Sequence, residues 1–234
     1  MPGLLLALET ATRWPSVALV RGTGLVGEIA LPSSRAVSEE LLPAIDALLA
    51  QAGVALAAVD AFAVSIGPGS FTGLRVGLAT VKGLAFGTRR LVAPVSTLAA
   101  LACAAGDTDE PIAALLDARR DEVYAGVYAP GGPASPSLVP EGLYGLRELA
   151  ALLPPRCTLV GEGALLHAAA WPALAGPGVR VLGDEARAPR ARDVARLGRA
   201  LLEAGGGESA DALVPRYLRR AEAEVKRTRE RVEL

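Results

Sequence analysis

The sequence predicts an α/β fold of two duplicated lobes, and three observations carry that expectation. Leu4–Glu9 is a short apolar run that ends in an acid, and Ile112–Asp117 repeats the pattern in the second half of the chain. Each run leads through a tight turn to a second strand, then to strands and helix-period segments, an order that reads as an internal repeat. The 234 residues, 51% hydrophobic and 21% charged, suffice for a substantial core in one large or two small domains.

In the first half, Leu4–Glu9 reads as a buried strand and Thr10–Pro15 as a turn. Ser16–Arg21 and Leu25–Leu31 follow as strands joined by hairpin chemistry at Gly22–Gly24. Ser38 is the expected N-cap of a helix, with Glu39 and Glu40 favourably placed in its first turn. Leu41, Leu42, Ile45, Leu48 and Leu49 mark its apolar face, and Gly53 ends it. Ala61–Ile66 is the next strand, followed by the loop Gly67-Pro68-Gly69-Ser70-Phe71-Thr72-Gly73 and a helix over Thr72–Gly87. Leu91–Val95 reads as a fifth strand, and Ser96–Ala105 as a helix capped by Ser96 or Thr97.

The polar stretch 106–111 marks a boundary. Beyond it, Ile112–Asp117 and Glu122–Ala129 are strands, Pro130–Pro136 a Pro- and Gly-rich loop, and Leu146–Leu153 a helix. Thr158–Gly161 and Val179–Leu182 are strands flanking a helix over Gly163–Ala170. An amphipathic helix over Ala191–Ala204 and a Gly205–Gly207 linker complete the lobe. These patterns divide the chain into an N-terminal lobe (1–105), a C-terminal lobe (106–214) and a basic helix or tail (215–234). Between Arg216 and Arg231 that tail carries six arginines and Lys226 against three glutamates. It fits either a solvated helix laced with ion pairs or a face for RNA or a protein partner.

The helix over Thr72–Gly87 is the feature that asks for a reason. Glycine costs a helix about 1 kcal/mol relative to alanine, yet Gly73, Gly77, Gly83 and Gly87 recur here at small-residue spacing, with Ala79 among them. Close approach of another backbone is the physical candidate, either within the lobe or from a partner. The helix is also apolar around its circumference, through Leu74, Val76, Leu78, Val81, Leu84 and Phe86, which implies burial on more than one side. The preceding loop puts N–H groups at a helix start with Arg75 nearby, so a phosphate nest and a tight packing loop both fit. It is not a Walker loop, because Leu74 and Arg75 follow Gly73 in place of Lys-Ser/Thr. Nor is it a dinucleotide fingerprint, because Thr72 stands where the third glycine belongs. Ser70 lacks the GxSxG context of a nucleophile elbow.

The charge balance of −1 predicts no global attraction to nucleic acid or membrane. Cys103 and Cys157 lie far apart, outside any CxxC pattern, and read as reduced structural thiols. The N-terminus has no basic leader, and no 18-residue apolar stretch lacks turn signals. A cytoplasmic protein is expected.

The stretch GPGSFTGLRVGLATVKGLA (Gly67–Ala85) resembles the signature of the bacterial TsaB family. LALETAT (Leu6–Thr12), SEELLPAIDALL (Ser38–Leu49), PVSTLAALA (Pro94–Ala102), DARRDEVYAGVY (Asp117–Tyr128), LVGEGA (Leu159–Ala164) and PRYLR (Pro215–Arg219) agree with it in order along the chain. The resemblance implies two duplicated actin/hexokinase/Hsp70-like (ribonuclease H-like) lobes, each built on a mixed five-stranded sheet with flanking helices. It also implies a role: a scaffold or activator, without activity alone, of the TsaD subunit that transfers threonylcarbamoyl to N6 of the adenosine 3′ to the tRNA anticodon. TsaE, an ATPase, is the further implied partner, with tRNA met through the complex and a homodimer in isolation.

The same resemblance puts Leu41, Ile45, Leu48, Gly73, Leu74, Gly77, Leu78 and Val81 at the dimer or partner interface. Gly67, Pro68, Gly69, Ser70, Phe71, Thr72 and Arg75 form its signature loop. Glu9, with Thr10 and Thr12, and Asp117, with Arg119 and Arg120, occupy the superfamily's two phosphate-loop positions. There they either retain a degenerate nucleotide cleft or only cap their own turns. No catalytic residue, metal ligand or tightly bound cofactor is implied, ATP or ADP being expected only at the interface with the catalytic partner. The paired histidines of the catalytic relative are missing, since His167 is the sole histidine. Val37 stands where many members have His, and Glu9 where many have Asp. An autonomous ATP-dependent kinase of the superfamily and a peptidase are the alternatives.

Overall fold

A computed structural model of the chain describes residues 3–32, 34–106, 108–134 and 137–219. The basic tail expected over 215–234 lies outside the described residues from position 220 onward. The described residues form two units, one of 3–100 with 190–216, the other of 101–189 with 217–219.

The first unit holds a five-stranded sheet of β1 (Leu4–Glu9), β2 (Ser16–Arg21), β3 (Gly24–Ala30), β4 (Ala61–Gly67) and β5 (Val92–Ser96), ordered β3-β2-β1-β4-β5. The hairpins pair antiparallel, whereas β1–β4 and β4–β5 pair parallel through helical crossovers. Helix α1 (Val37–Gln51) precedes β4, and α2 (Phe71–Ala85) links β4 to β5. β1 is buried at every position because both faces of the sheet are covered. Its even residues Leu4, Leu6 and Leu8 join Phe62 and Val64 beneath Leu41, Ile45 and Leu48 of α1 and Leu78 and Val81 of α2. Its odd residues Leu5 and Ala7 share the opposite face with Ala63, Ala93 and Val95.

The second unit repeats the topology with β6 (Ile112–Asp117), β7 (Glu122–Tyr128), β8 (Ser137–Gly145), β9 (Cys157–Val160) and β10 (Val179–Val181), ordered β10-β9-β6-β7-β8. Pairing β6 with β1, β7 with β2, β8 with β3, β9 with β4 and β10 with β5 reproduces each parallel and antiparallel neighbour. The duplication expected from the acid-ended strands is therefore present. Strand β8 escaped the sequence reading because Pro140 interrupts its pattern. Proline is tolerated there because β8 is an edge strand. Helices α4 (Leu146–Leu152), α5 (Glu162–Leu166) and α6 (Trp171–Ala175) complete this unit, with α3 (Thr97–Cys103) entering it from the first. Also unforeseen was α6, where the Trp171 indole is fully buried and its Nε1 donates to the Ala164 carbonyl at 3.1 Å.

The expected lobe boundary needs correction. The segment 190–214, assigned by sequence to the C-terminal lobe, returns to the first unit as α7 (Ala191–Glu203), which packs on β1, β2, β4 and β5. A shallow floor of alanines admits it: a β-carbon at Gly198 would stand 2.5 Å from the Ala63 Cβ and 3.2 Å from the Ala93 Cβ. Amphipathicity alone says that α7 buries a face, not which sheet it covers. Gly205–Gly207 is likewise no free linker, since Val92 and Glu208 exchange two backbone hydrogen bonds of 2.9 Å directly after it. Ala36, not Ser38, stands at the N-cap of α1, because Val37 already packs against the core as the first helical residue.

Candidate functional site

The signature loop is built against the β1–β2 turn. The Ser70 amide donates to the Ala11 carbonyl at 2.7 Å, and Ser70 Oγ caps α2 by accepting from the Gly73 amide at 3.2 Å. The Leu74 amide bonds the Ser70 carbonyl at 2.9 Å. Three amides that a phosphate nest would have offered are thus already engaged. Gly67 and Gly69 hold φ of 122° and 156°, and the Gly67–Pro68 peptide is cis. An added β-carbon at Gly69 would stand 2.3 Å from the Ala11 carbonyl oxygen, one at Gly73 2.0 Å from that of Thr10, and one at Gly77 2.2 Å from Thr10 Oγ1. The backbone whose approach these glycines permit is this chain's own Thr10–Ala11 turn.

The eight residues expected at an interface face inward instead. Leu41, Ile45, Leu48, Leu74, Leu78 and Val81 are each at most 4% exposed, and Gly73 and Gly77 are buried as well. All eight lie inside the first unit, where the helices meet their own sheet and turn, so none is presented outward. The outward surface of these helices is formed by other residues. On α1 it carries Leu42, half exposed, with Ala47 and Ala50. On α2 it carries Thr72, Ala79 and Gly83, with Phe86 just past the end at 83% exposure. A β-carbon on Gly83 would meet nothing within 4 Å.

Glu9 ends β1 and is wholly buried. Its Oε1 accepts from the Ala11 amide at 2.8 Å and its Oε2 from the Thr12 hydroxyl at 3.1 Å, while Thr12 Oγ1 accepts from the Trp14 amide at 3.3 Å. Burial pushes the Glu9 carboxyl up to about 8 despite these hydrogen bonds. Thr10 is buried beneath Gly73 and Gly77. In the second unit Asp117 ends β6 in the same manner, its Oδ1 accepting from the Arg119 amide at 2.7 Å. The structure thus brings Glu9, Thr10 and Thr12 together around the glycines of α2, and Asp117 and Arg119 together in the other unit. Each acid holds the amide two residues onward in its own turn.

Phe71, Arg75 and the PRYLR stretch stand out in the sequence, but the contacts they make do not. Arg75 stacks on the Phe71 ring, its Cζ 3.8 Å from the centroid, and Arg13 lies over Trp14 at 5.9 Å. The Arg216 amide donates to the Ile66 carbonyl at 2.7 Å, bringing the Arg216 backbone beside Gly67. Arg219 binds the β6–β7 turn, donating to the Ala118 carbonyl at 2.6 Å and to the Glu122 carboxylate. The i,i+4 spacing of Phe71 and Arg75 was the one available signal. Cys103 and Cys157 are buried thiols, the latter pushed by burial up to about 12. His167 stands at the C-cap of α5. Among the described residues no group of three His, Cys, Asp or Glu side chains converges for a metal ion, and no helix is long and apolar enough to cross a membrane.

Over residues 20–227 the chain matches the family model of TsaD, tRNA N6-adenosine threonylcarbamoyltransferase. The tRNA threonylcarbamoyladenosine biosynthesis protein TsaB of Haemophilus influenzae is 47% identical over 124 residues, a match spanning about half of either chain (51% of each). The Bacillus subtilis protein of the same name is 30% identical over 227 residues, covering 95% of this chain and 96% of its own. A solved Pseudomonas aeruginosa structure, described as an uncharacterized protein with similarity to peptidase YEAZ, is 34% identical with a TM-score of 0.80. That likeness covers 93% of this chain and 100% of the other.

Proposed function

The chain belongs to the TsaB family, and from that premise we propose that it serves tRNA threonylcarbamoyladenosine biosynthesis as a non-catalytic subunit. In this reading it works in the cytoplasm and docks on a TsaD-type transferase through the outward faces of α1 and α2. The observation that carries the docking is the surface of α2, where Thr72, Ala79 and Gly83 leave room for close approach and the exposed Phe86 supplies apolar area. Small residues set the distance at which a partner helix packs, and an aromatic beside them contributes most of the buried surface. A second copy would meet this same patch across a two-fold axis. Homodimer and heterodimer would then compete for one face.

The chemistry of the turns favours a supporting role. At neutral pH the Glu9 carboxyl is largely uncharged and fully engaged within its turn, a poor arrangement for holding magnesium. Nucleotide, where it is needed, is then met at the partner's surface.

The test is reconstitution of tRNA modification from TsaD, TsaE and nucleotide, with and without this chain. Modification should require it, and Gly83→Arg or Ala79→Arg should abolish both TsaD co-elution and activity while leaving the fold intact. Full modification in its absence, or phosphotransfer by the chain alone, would overturn the proposal.

A further inference from the structure

A buried acid and the start of α2 are joined by three hydrogen bonds in series. Glu9 Oε1 accepts from the Ala11 amide at 2.8 Å, the Ala11 carbonyl accepts from the Ser70 amide at 2.7 Å, and Ser70 Oγ accepts from the Gly73 amide at 3.2 Å. Steric contact follows the same path. The Thr10 carbonyl and hydroxyl fill the space over Gly73 and Gly77, and the Ala11 carbonyl fills that over Gly69. The first two turns of α2 therefore rest on residues 10 and 11, and those residues rest on Glu9. Thr12 closes the turn, donating to Glu9 Oε2 and accepting from the Trp14 amide.

Among the described residues, none brings a charge to the Glu9 carboxyl. From β2 it is faced by Ser16, whose Oγ accepts from the Ala191 amide at the start of α7. From β4 it is faced by Ser65, one place past the Leu8–Val64 pair, whose buried hydroxyl has no hydrogen-bond partner among the described residues. The charged residues of the surrounding segments are Arg13 in the turn, Arg75 on α2, and Arg190, Arg192, Asp193 and Arg196 on α7. Arg192 pairs with Glu28, and the Asp193 carboxylate accepts from the Arg190 amide. The proton on Glu9 answers to burial first and then to the hydrogen bonds from Ala11 and Thr12, not to any of these charges.

We propose that Glu9 is a positioning residue for docking: protonated, it seats the first turns of α2 on the 10–14 turn, and ionised, it releases them. A buried carboxylate without a cation draws in water, and the turn wrapped around it is what has to move. Movement of residues 10–12 withdraws the Ala11 carbonyl from Ser70 and the Thr10 carbonyl from Gly73. The outward residues Thr72 and Ala79 travel with the helix, and a close-packed contact built on small residues tolerates little displacement. Since the carboxyl titrates near 8, the seated form prevails at neutral pH and the released form above that value. The effect on docking rests on the subunit reading above, whereas the link from Glu9 to α2 stands without it.

Hydrogen exchange of the full chain reads the link with no partner present. Exchange in 67–76, taken as the ratio of wild type to Glu9→Gln at each pH so that intrinsic rates cancel, should rise several-fold between about pH 6.5 and about pH 9, and more than in β4. Thr12→Val removes a hydrogen bond that favours the ionised form, so it should move the midpoint of this rise to higher pH. Affinity for a TsaD-type subunit, again as a ratio to Glu9→Gln, should weaken several-fold over the same range.

A level exchange ratio, or a rise no greater in 67–76 than in β4, overturns the proposal. So does a TsaD affinity ratio that stays level while the exchange ratio rises. An exchange ratio that rises although TsaD binds at no pH would sink the subunit reading and leave the link between Glu9 and α2 standing.

Discussion

The hydroxyl of Thr10 occupies the space beside Gly77 so closely that a β-carbon there would stand 2.2 Å from it. The Thr10 carbonyl bears the same relation to Gly73, at 2.0 Å. Thr10 lies in a turn whose carbonyls point at the helix, and a backbone oxygen cannot rotate away as a side chain can. Gly73→Ala should therefore destabilise strongly, by about 1–3 kcal/mol or more, through overpacking, and Gly77→Ala less, because the Thr10 side chain can turn. Gly83→Ala, with nothing within 4 Å of the new carbon, should stabilise by about 1 kcal/mol. Urea unfolding of the three variants checks the order. Equal effects at all three positions would show that the glycines do not act through this turn.

This same relationship shows where the sequence stopped being legible. Local pattern located nearly every strand and announced the duplication, because a buried strand closed by an acid is a signal contained in six residues. That something approaches α2 closely was also readable, since glycines at that spacing are costly in a helix. What approaches was not: Thr10 is more than sixty positions away, and no period in α2 encodes its partner. The inward residues of α1 and α2 stood out by their apolar spacing for the reason that they form the core. The outward residues Ala79 and Gly83 belong to the same small-residue spacing as Gly73 and Gly77, and that spacing does not tell which small residues meet the chain's own turn and which face outward. Segment 190–214 was assigned to the C-terminal lobe because sequence order favours the adjacent sheet, whereas Gly198 fits the alanine floor of the first.

Glu9 gives the first unit a pH dependence of defined sign. Its carboxyl titrates near 8 when folded, against an ordinary value of 4.5, so between those values the native state holds a proton that the unfolded state has released. Stability from this group is complete below about pH 4.5, falls as pH rises toward about 8, and is level above that. The slope approaches about 1.4 kcal/mol per pH unit in the window. Glu9→Gln retains an oxygen for the Ala11 amide, and its amide group can donate to the Thr12 hydroxyl, while the charge is removed. The difference between wild-type and variant unfolding free energies should therefore widen in favour of Gln from pH 5 to pH 8. A constant difference across that range would mean that the native carboxyl ionises normally.

Helix α7 supplies an independent check on the lobe assignment. Since a β-carbon on Gly198 would stand 2.5 Å from the Ala63 Cβ, Gly198→Val should lift the helix from the first sheet and cost about 1–3 kcal/mol. Hydrogen exchange should then accelerate in β1, β4 and β5, whose central residues lie beneath this helix, and remain unchanged in β6 and β7. Faster exchange confined to the second unit would place α7 elsewhere.

The β6–β7 turn holds three consecutive residues, Arg119, Arg120 and Asp121, at φ of 63°, 57° and 59°. A left-handed backbone costs an L-residue roughly 1–2 kcal/mol, so something outside the turn must favour it. Arg219 is placed to do so, because it bonds the Ala118 carbonyl on one side of the turn and the Glu122 carboxylate on the other. Arg119→Gly keeps the amide that Asp117 holds, relieves one strained position, and should stabilise by about 1 kcal/mol. Arg219→Ala should destabilise by about 1–3 kcal/mol, because the buttress and a charge-assisted hydrogen bond are lost together. The two effects should not add. Once Arg119→Gly has relaxed the turn, removing Arg219 should cost less, and a double-mutant cycle measured by urea unfolding should return a coupling of at least about 0.5 kcal/mol. Strict additivity would mean that Arg219 binds the turn without holding its conformation.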